Sequence, residues 1–174
     1  MFNPEQLVVY PAQGVGRIES IERRDIGGQG VDFYIVRILG NNVTLMVPVA
    51  TAAKVGLRPL HNRNEALEVL ESFKDRSSFT GHIGQNWNRR FREYSDRLKS
   101  GKLEDVSHVA KELLLISGEK ELSFGERRLL EQSMALVSVE LACSMERSAE
   151  DIKAEIESMF ADVLQKEEKD EKNS

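Results

Sequence analysis

The side chains best suited to work at a surface are gathered in one stretch, NWNRRFREYSDRLKSG (residues 86–101). It holds the only tryptophan of the chain, Trp87, together with Arg89, Arg90, Arg92 and Arg97. Guanidinium groups clamp phosphates in a fork geometry, and an indole can stack on a base or wedge beside it. From Arg76 to Lys102 there are seven Arg or Lys against two acids, Glu93 and Asp96, in a chain whose formal net charge is −5. Placed on a helix, Trp87, Phe91, Tyr94 and Leu98 fall at i, i+4, i+7 and i+11 and form one apolar stripe. Arg89, Arg92 and Lys99 share another face, and Arg90 and Arg97 lie beside the stripe. The stripe taken alone makes Trp87 a core anchor and the arginines a solvated flank. Against this, a residue in the first turn, just after a glycine-containing loop, sits at the edge of a packed layer, where an indole can protrude. A helix N-terminus adds a dipole favourable to phosphate. Arg127 and Arg128, early in a later helix, either extend the basic face or are the exposed side of an amphipathic helix.

Other groups do not converge in this way. His61, His82 and His108 have no metal-ligand spacing, and the lone Cys143 has no cysteine partner. Gly14-Val-Gly16 lacks the third glycine of a dinucleotide loop, and no Gly-Lys-Ser/Thr follows the GGQG at 27–30. Each histidine is expected in a surface or turn role and Cys143 as a small core residue. No enzyme, cofactor or metal is expected. The acidic balance argues against a generic, non-specific DNA coat and leaves room for a local basic face. Apolar runs fall well short of the ~18 residues of a membrane span. The N-terminus, MFNPEQ, has no signal-peptide pattern. A cytoplasmic protein without a membrane partner is the expectation.

Two different patterns must position these residues, and 174 residues suffice for two small domains. Residues 1–60 read as strands: LVVYP (7–11), GVGRIESIE (14–22), VDFYIVRIL (31–39) and VTLMVPV (43–49), separated by Gly- and Asn-rich turns. Phe33, Ile35 and Arg37 fall on one face, and Pro48 suits an edge or a bulge. Four short strands with tight turns imply a small SH3-like or Tudor-like barrel, or a strongly bent sheet. Residues 61–164 read as helices: a first one capped by Asn62 or Asn64, the basic segment, 103–117, a long helix opened by the capping box Ser123-Phe-Gly-Glu126, and one opened by Ser148. Residues 76–85 read as a loop, and residues 165–174 as a polar, disordered tail. The fold class is α+β, with the boundary near residues 58–63. From residues alone the reading is a two-domain adaptor with a local basic and aromatic face.

Several segments in order, VVYPAQGVG, IESIERR, VTLMVPV, NWNRRF, SGKLEDVSHVAKEL and LSFGERRLLEQSMALVSVELA, resemble the CarD/CdnL family of bacterial transcription regulators along nearly the full length. The N-terminal part alone is less specific, because transcription-repair coupling factors carry a similar module. The resemblance implies a Tudor-like domain that docks on the β subunit of RNA polymerase, with strand pairing as the natural mode. The matching positions are Arg24 and Ile26, and Met46, Val47 and Pro48. Some members carry a basic residue where this chain has Met46, so the resemblance implies no salt bridge there. It further implies that the helical domain meets promoter DNA at the upstream edge of the transcription bubble. Trp87 would be a minor-groove wedge, with Arg89, Arg90, Arg92 and Arg127 holding the backbone. The function so implied is stabilisation of the open promoter complex by a protein brought to the nucleoid by polymerase; a monomer is expected because the helical faces look sufficient to bury one another. The alternative is an adaptor that binds polymerase or another protein while Trp87 serves the core.

Overall fold

The computed structural model describes residues 1–79, 86–164 and 172–173. His82, the end of the expected loop at 76–85, and most of the polar tail from Gln165 lie outside the described residues. The chain divides into two compact units, Met1–Leu60 and His61–Ser174.

The first unit is an antiparallel sheet of β1 (Leu7–Tyr10), β2 (Gly14–Ile26), β3 (Gln29–Ile38), β4 (Thr44–Pro48) and β5 (Arg58–Pro59), in the order β4-β3-β2-β1-β5. β5, a two-residue strand that pairs with Val8 and Val9 of β1, has no pattern long enough to be read from sequence. The β2–β3 hairpin is longer than its sequence suggested. Only Gly27 and Gly28 make the turn, at φ 61° and 86°, and Gln29 and Gly30 already belong to β3. Two successive positive φ values give the turn whose twist matches that of paired strands, and glycine reaches them without penalty.

The pairing register decides which side chains face the core. Tyr34 lies opposite Ile21 and Val47, and Val36 opposite Ile18 and Leu45. Tyr34, Val36, Ile18 and Val47 join Val8, Ile38, Ala52 and Leu57 in the buried cluster. Phe33, Ile35 and Arg37 therefore share the opposite face, because alternate residues of a strand point to opposite sides. β4 is an edge strand, which accommodates Pro48.

The second unit is helical: α1 (Arg63–Ser72), α2 (Trp87–Lys99), α3 (Leu103–Ser117), α4 (Phe124–Met145) and α5 (Ala149–Met159). Its starts are written in the sequence. Asn62 and Glu65 form a capping box at α1, Ser123 and Glu126 form another at α4, and Ser148 accepts from the Asp151 amide at α5. One apolar cluster runs through the unit and includes Phe73, Tyr94, Leu98, Leu113, Leu141, Ile152 and Phe160. Truncating a fully buried member such as Leu113 to alanine costs about 2–5 kcal/mol.

Candidate nucleic-acid interface

α2 begins abruptly. The Asn86 side chain accepts from the Asn88 amide, and Trp87 is the first helical residue. No acid occupies the first turn, so the positive end of the helix is not neutralised from within. The stripe expected on this helix splits along its length. Tyr94 and Leu98 are buried, Trp87 is half-buried against the helical core, and Phe91 is 45% exposed. The two ends of the stripe therefore do different things: the C-terminal half anchors the helix and the N-terminal half reaches the surface.

The indole has a defined seat. Its six-membered ring lies over Gly125 in the first turn of α4, so close that a Cβ on Gly125 would stand 3.0 Å from Trp87 Cζ2. The Phe91 ring is tilted against it at a centroid distance of 5.6 Å. The Arg90 guanidinium stands over the indole at 5.6 Å and near the Tyr94 ring at 6.0 Å. Phe124, next in the chain to Gly125, is 82% exposed. Nothing in the spacing singled it out, because it reads as the first residue after a helix cap. The only available signal was its type, an aromatic residue at a helix start rather than on the buried side of the helix.

The basic residues fall into distinct classes. Arg90 is corrected by the structure: it is 3% exposed, and its Nη2 donates to Glu126 Oε2 at 2.8 Å, with Glu126 1% exposed. A side chain one helical turn after Trp87 and beside the apolar stripe is carried inward, so Arg90 is an interior ion-pair partner instead of a surface cation. Arg76 is tied to Asp162 by two hydrogen bonds of 2.8 and 2.9 Å, which hold the Asp162 carboxyl down to about 2. Arg97 pairs with Asp105 at 3.2 Å. Arg89 and Arg92 are exposed and make no ion pair among the described residues. Arg127 is exposed on α4 and only loosely approached by Glu121, at 3.8 Å. The basic run therefore resolves into Arg89 and Arg92, exposed in the first two turns of α2 on a face other than that of Trp87, with Arg127 on the helix against which the indole rests.

Glu126 does more than close a capping box. Its Oε1 accepts from the Ser123 amide at 3.0 Å and from Lys120 Nζ at 2.6 Å, while Oε2 accepts from Arg90. Burial pushes this carboxyl up, but the Lys120 ammonium and the Ser123 hydrogen bonds outweigh it and the net displacement is downward. The histidines are also more engaged than a surface role requires. His61 Nδ1 lies 2.9 Å from the buried Glu140 carboxylate and Nε2 lies 3.5 Å from Glu104, and His108 pairs with Glu112 at 2.8 Å. Cys143 is half-buried on α4.

In the first unit the residues expected to meet polymerase lie on β2 near the β2–β3 turn and on the edge strand β4. Arg24 pairs with Val31 and Ile26 with Gln29, while Met46 pairs with Ile35 and Pro48 with Phe33. The register puts Arg24, Ile26, Met46 and Pro48 on the face away from the core. Ile26 and Met46 are exposed, and Arg24 Nη2 reaches Glu22 at 2.8 Å. Val47 is the correction in this set. Its side chain is 3% exposed and points into the core, so it can offer a partner only its edge-strand backbone.

Residues 2–61 match the family model described as the CarD-like/TRCF RID domain, and residues 68–157 match that described as CarD, C-terminal domain. The chain belongs to the CarD/CdnL family. A protein of Bacillus subtilis (strain 168) named "Putative transcription factor YdeB" is 25% identical over 141 residues, 81% of this chain and 90% of that one. The solved structure of CdnLNt from Myxococcus xanthus is 41% identical, spans 34% of this chain and 83% of that one, and has a TM-score of 0.30. Family membership assigns the protein to transcription regulation, in a family of RNA polymerase-interacting transcription factors that are not enzymes. Among the described residues no helix is long and apolar enough to cross a membrane.

Proposed function

We propose that this protein docks on the β subunit of RNA polymerase through β4 and the outer face of the β2–β3 hairpin, and stabilises the open promoter complex by setting Trp87 against the minor groove at the upstream edge of the bubble. The observation that carries this reading is the setting of Trp87. An indole at a helix start, half-buried on a fixed seat, shares the first two turns of α2 with two exposed arginines on another face of the helix, Arg89 and Arg92, which have no ion pair among the described residues. Arg89 and Arg92 supply phosphate contacts, and the aromatic surface of Trp87, with the exposed Phe91 and Phe124, meets a distorted base step.

Promoter opening is a reversible equilibrium, and a factor shifts it only by binding the open fork better than the closed duplex. About 1.4 kcal/mol of such preference changes the equilibrium tenfold, and one aromatic stacked on a base supplies about 1–3 kcal/mol. A net charge of −5 disfavours DNA binding by the protein alone. Tethering to polymerase through the first unit replaces that missing affinity with effective concentration.

The test is the lifetime of the open complex with purified bacterial RNA polymerase, without the protein, with it, and with folded Trp87→Ala. The protein is expected to lengthen the lifetime and Trp87→Ala to remove most of that gain, about tenfold. A second reading, an adaptor without DNA contact, is favoured by the packing of Trp87 against the helical core. Equal lifetimes with wild type and Trp87→Ala would select it.

A further inference from the structure

We propose that Arg90 is a positioning residue: anchored by the Glu126 carboxylate in the first turn of α4, its guanidinium plane fixes the attitude of the Trp87 indole over Gly125. This rests on the reading of Trp87 as the DNA-contacting group, and extends it to how that group is held.

Four observations converge on one small volume. Arg90 and Glu126 are both almost wholly buried, and their 2.8 Å bond joins the first turns of α2 and α4. Glu126 is itself immobilised, because the same carboxylate closes the capping box with Ser123 and receives Lys120. The arginine held in this way stands 5.6 Å from the indole. The indole also meets a residue without a Cβ, where any side chain would crowd Cζ2. The indole thus has a cation and a backbone surface as neighbours, and the cation cannot move without leaving its carboxylate. A lysine in place of Arg90 would keep the charge but lose both the planar face and the fork.

Pre-organisation is the physical reason for such a clasp. A side chain already in its bound orientation loses less rotamer freedom on binding. The Trp87 side chain spans the boundary between the core and the surface, so without a clasp it could fold back onto apolar neighbours.

The test uses Arg90→Lys and Gly125→Ala in the full chain, each first shown by far-UV circular dichroism and urea melting to be folded. The sole tryptophan provides its own probe through iodide quenching and near-UV dichroism, which a purely structural ion pair far from the indole would not move. Each folded variant is expected to change both signals. Each is also expected to shorten the open-complex lifetime about two- to fivefold, the worth of a cation–π contact, while pull-down by polymerase is unchanged. Should Arg90→Lys not fold, Gly125→Ala carries the test, since it leaves the ion pair in place. Unchanged quenching and dichroism in the folded variants would overturn the proposal. Changed indole signals with an unchanged lifetime would uphold the clasp and overturn the wedge reading of Trp87 instead.

Discussion

The two surfaces proposed to meet partners are built on opposite principles. On the sheet, Arg24, Ile26 and Met46 are exposed on the outer face of a hairpin and its edge strand, and the fold does not need their side chains. On the helical unit, the half-buried indole is inseparable from the fold. The residue that holds it, Arg90, belongs to a buried ion pair, and that pair's carboxylate caps α4. The difference fits what each surface is proposed to recognise. Strand addition takes its affinity from repeated main-chain hydrogen bonds and tolerates variable side chains. A single aromatic meeting a single base step has no repeat to average over, so its orientation must be set beforehand.

The sharpest break of this comparison is in stability. Removing one partner of a buried ion pair leaves the other charge stranded and costs about 3–5 kcal/mol. Glu126→Ala, which loses the cap as well, is therefore expected to destabilise the helical unit by at least that much in urea unfolding followed through Trp87. Ile26→Ala and Met46→Ala should stay within about 0.5 kcal/mol of wild type. Equal losses at both surfaces would erase the distinction. Acid offers the same contrast without truncation. The folded-state pKa of Glu126 is displaced below its ordinary value of 4.5. Its stabilising contribution is present above that value and is lost as pH falls through the folded-state pKa. The urea midpoint of wild type should fall over that range more steeply than that of Glu126→Gln, which has no proton to gain there.

Next in size is the loss of docking. Arg24→Glu together with Ile26→Asp places acid on the exposed hairpin tip without touching the core. The concentration of protein giving half the maximal open-complex lifetime should rise about tenfold or more, while the maximal lifetime is retained. Trp87→Ala should do the converse, lowering the maximum with little change in the half-maximal concentration. A double variant showing both effects, and no more, would establish that the two units contribute independently.

How far each surface could be read from sequence differs for the same reason. Helix starts at Ser123 and Ser148, and at Asn62 as one of two candidates with Asn64, were legible because caps are local chemistry between residues three apart. The strands were legible by alternation, down to the shared face of Phe33, Ile35 and Arg37. β5 was not, since two residues carry no period and the strand exists only through its pairing with β1. Within the basic segment the residue types were visible but their fates were not. Arg89 and Arg90 are neighbours in sequence, yet one stands in solvent and the other is buried. What separates them is Glu126, 36 positions away. Its sequence signature announced only a capping box, and a second role for the same carboxylate has no local mark. Val47 was missed in the reverse direction, as an alternate residue of an edge strand whose side chain faces inward.

The smallest effects belong to single surface cations, and they measure how far the proposed DNA-facing surface extends. Each arginine that neutralises a phosphate contributes about one unit to the slope of log affinity against log salt. Arg89→Ala and Arg92→Ala are therefore each expected to flatten the salt dependence of the open-complex lifetime by up to about that amount. Arg127 stands on the partner helix of the indole's seat, with the exposed Glu121 carboxylate 3.8 Å away. An exposed pair at that distance is worth little and is screened by salt, so Glu121 competes only feebly for the guanidinium. The expected change for Arg127→Ala is smaller than for Arg92→Ala, and should grow toward it when Glu121 is replaced by Gln. If Arg127→Ala leaves the slope untouched even in the Glu121→Gln background, the phosphate contacts are confined to α2. In that case α4 serves the interface only by carrying Gly125 and Glu126 to the indole.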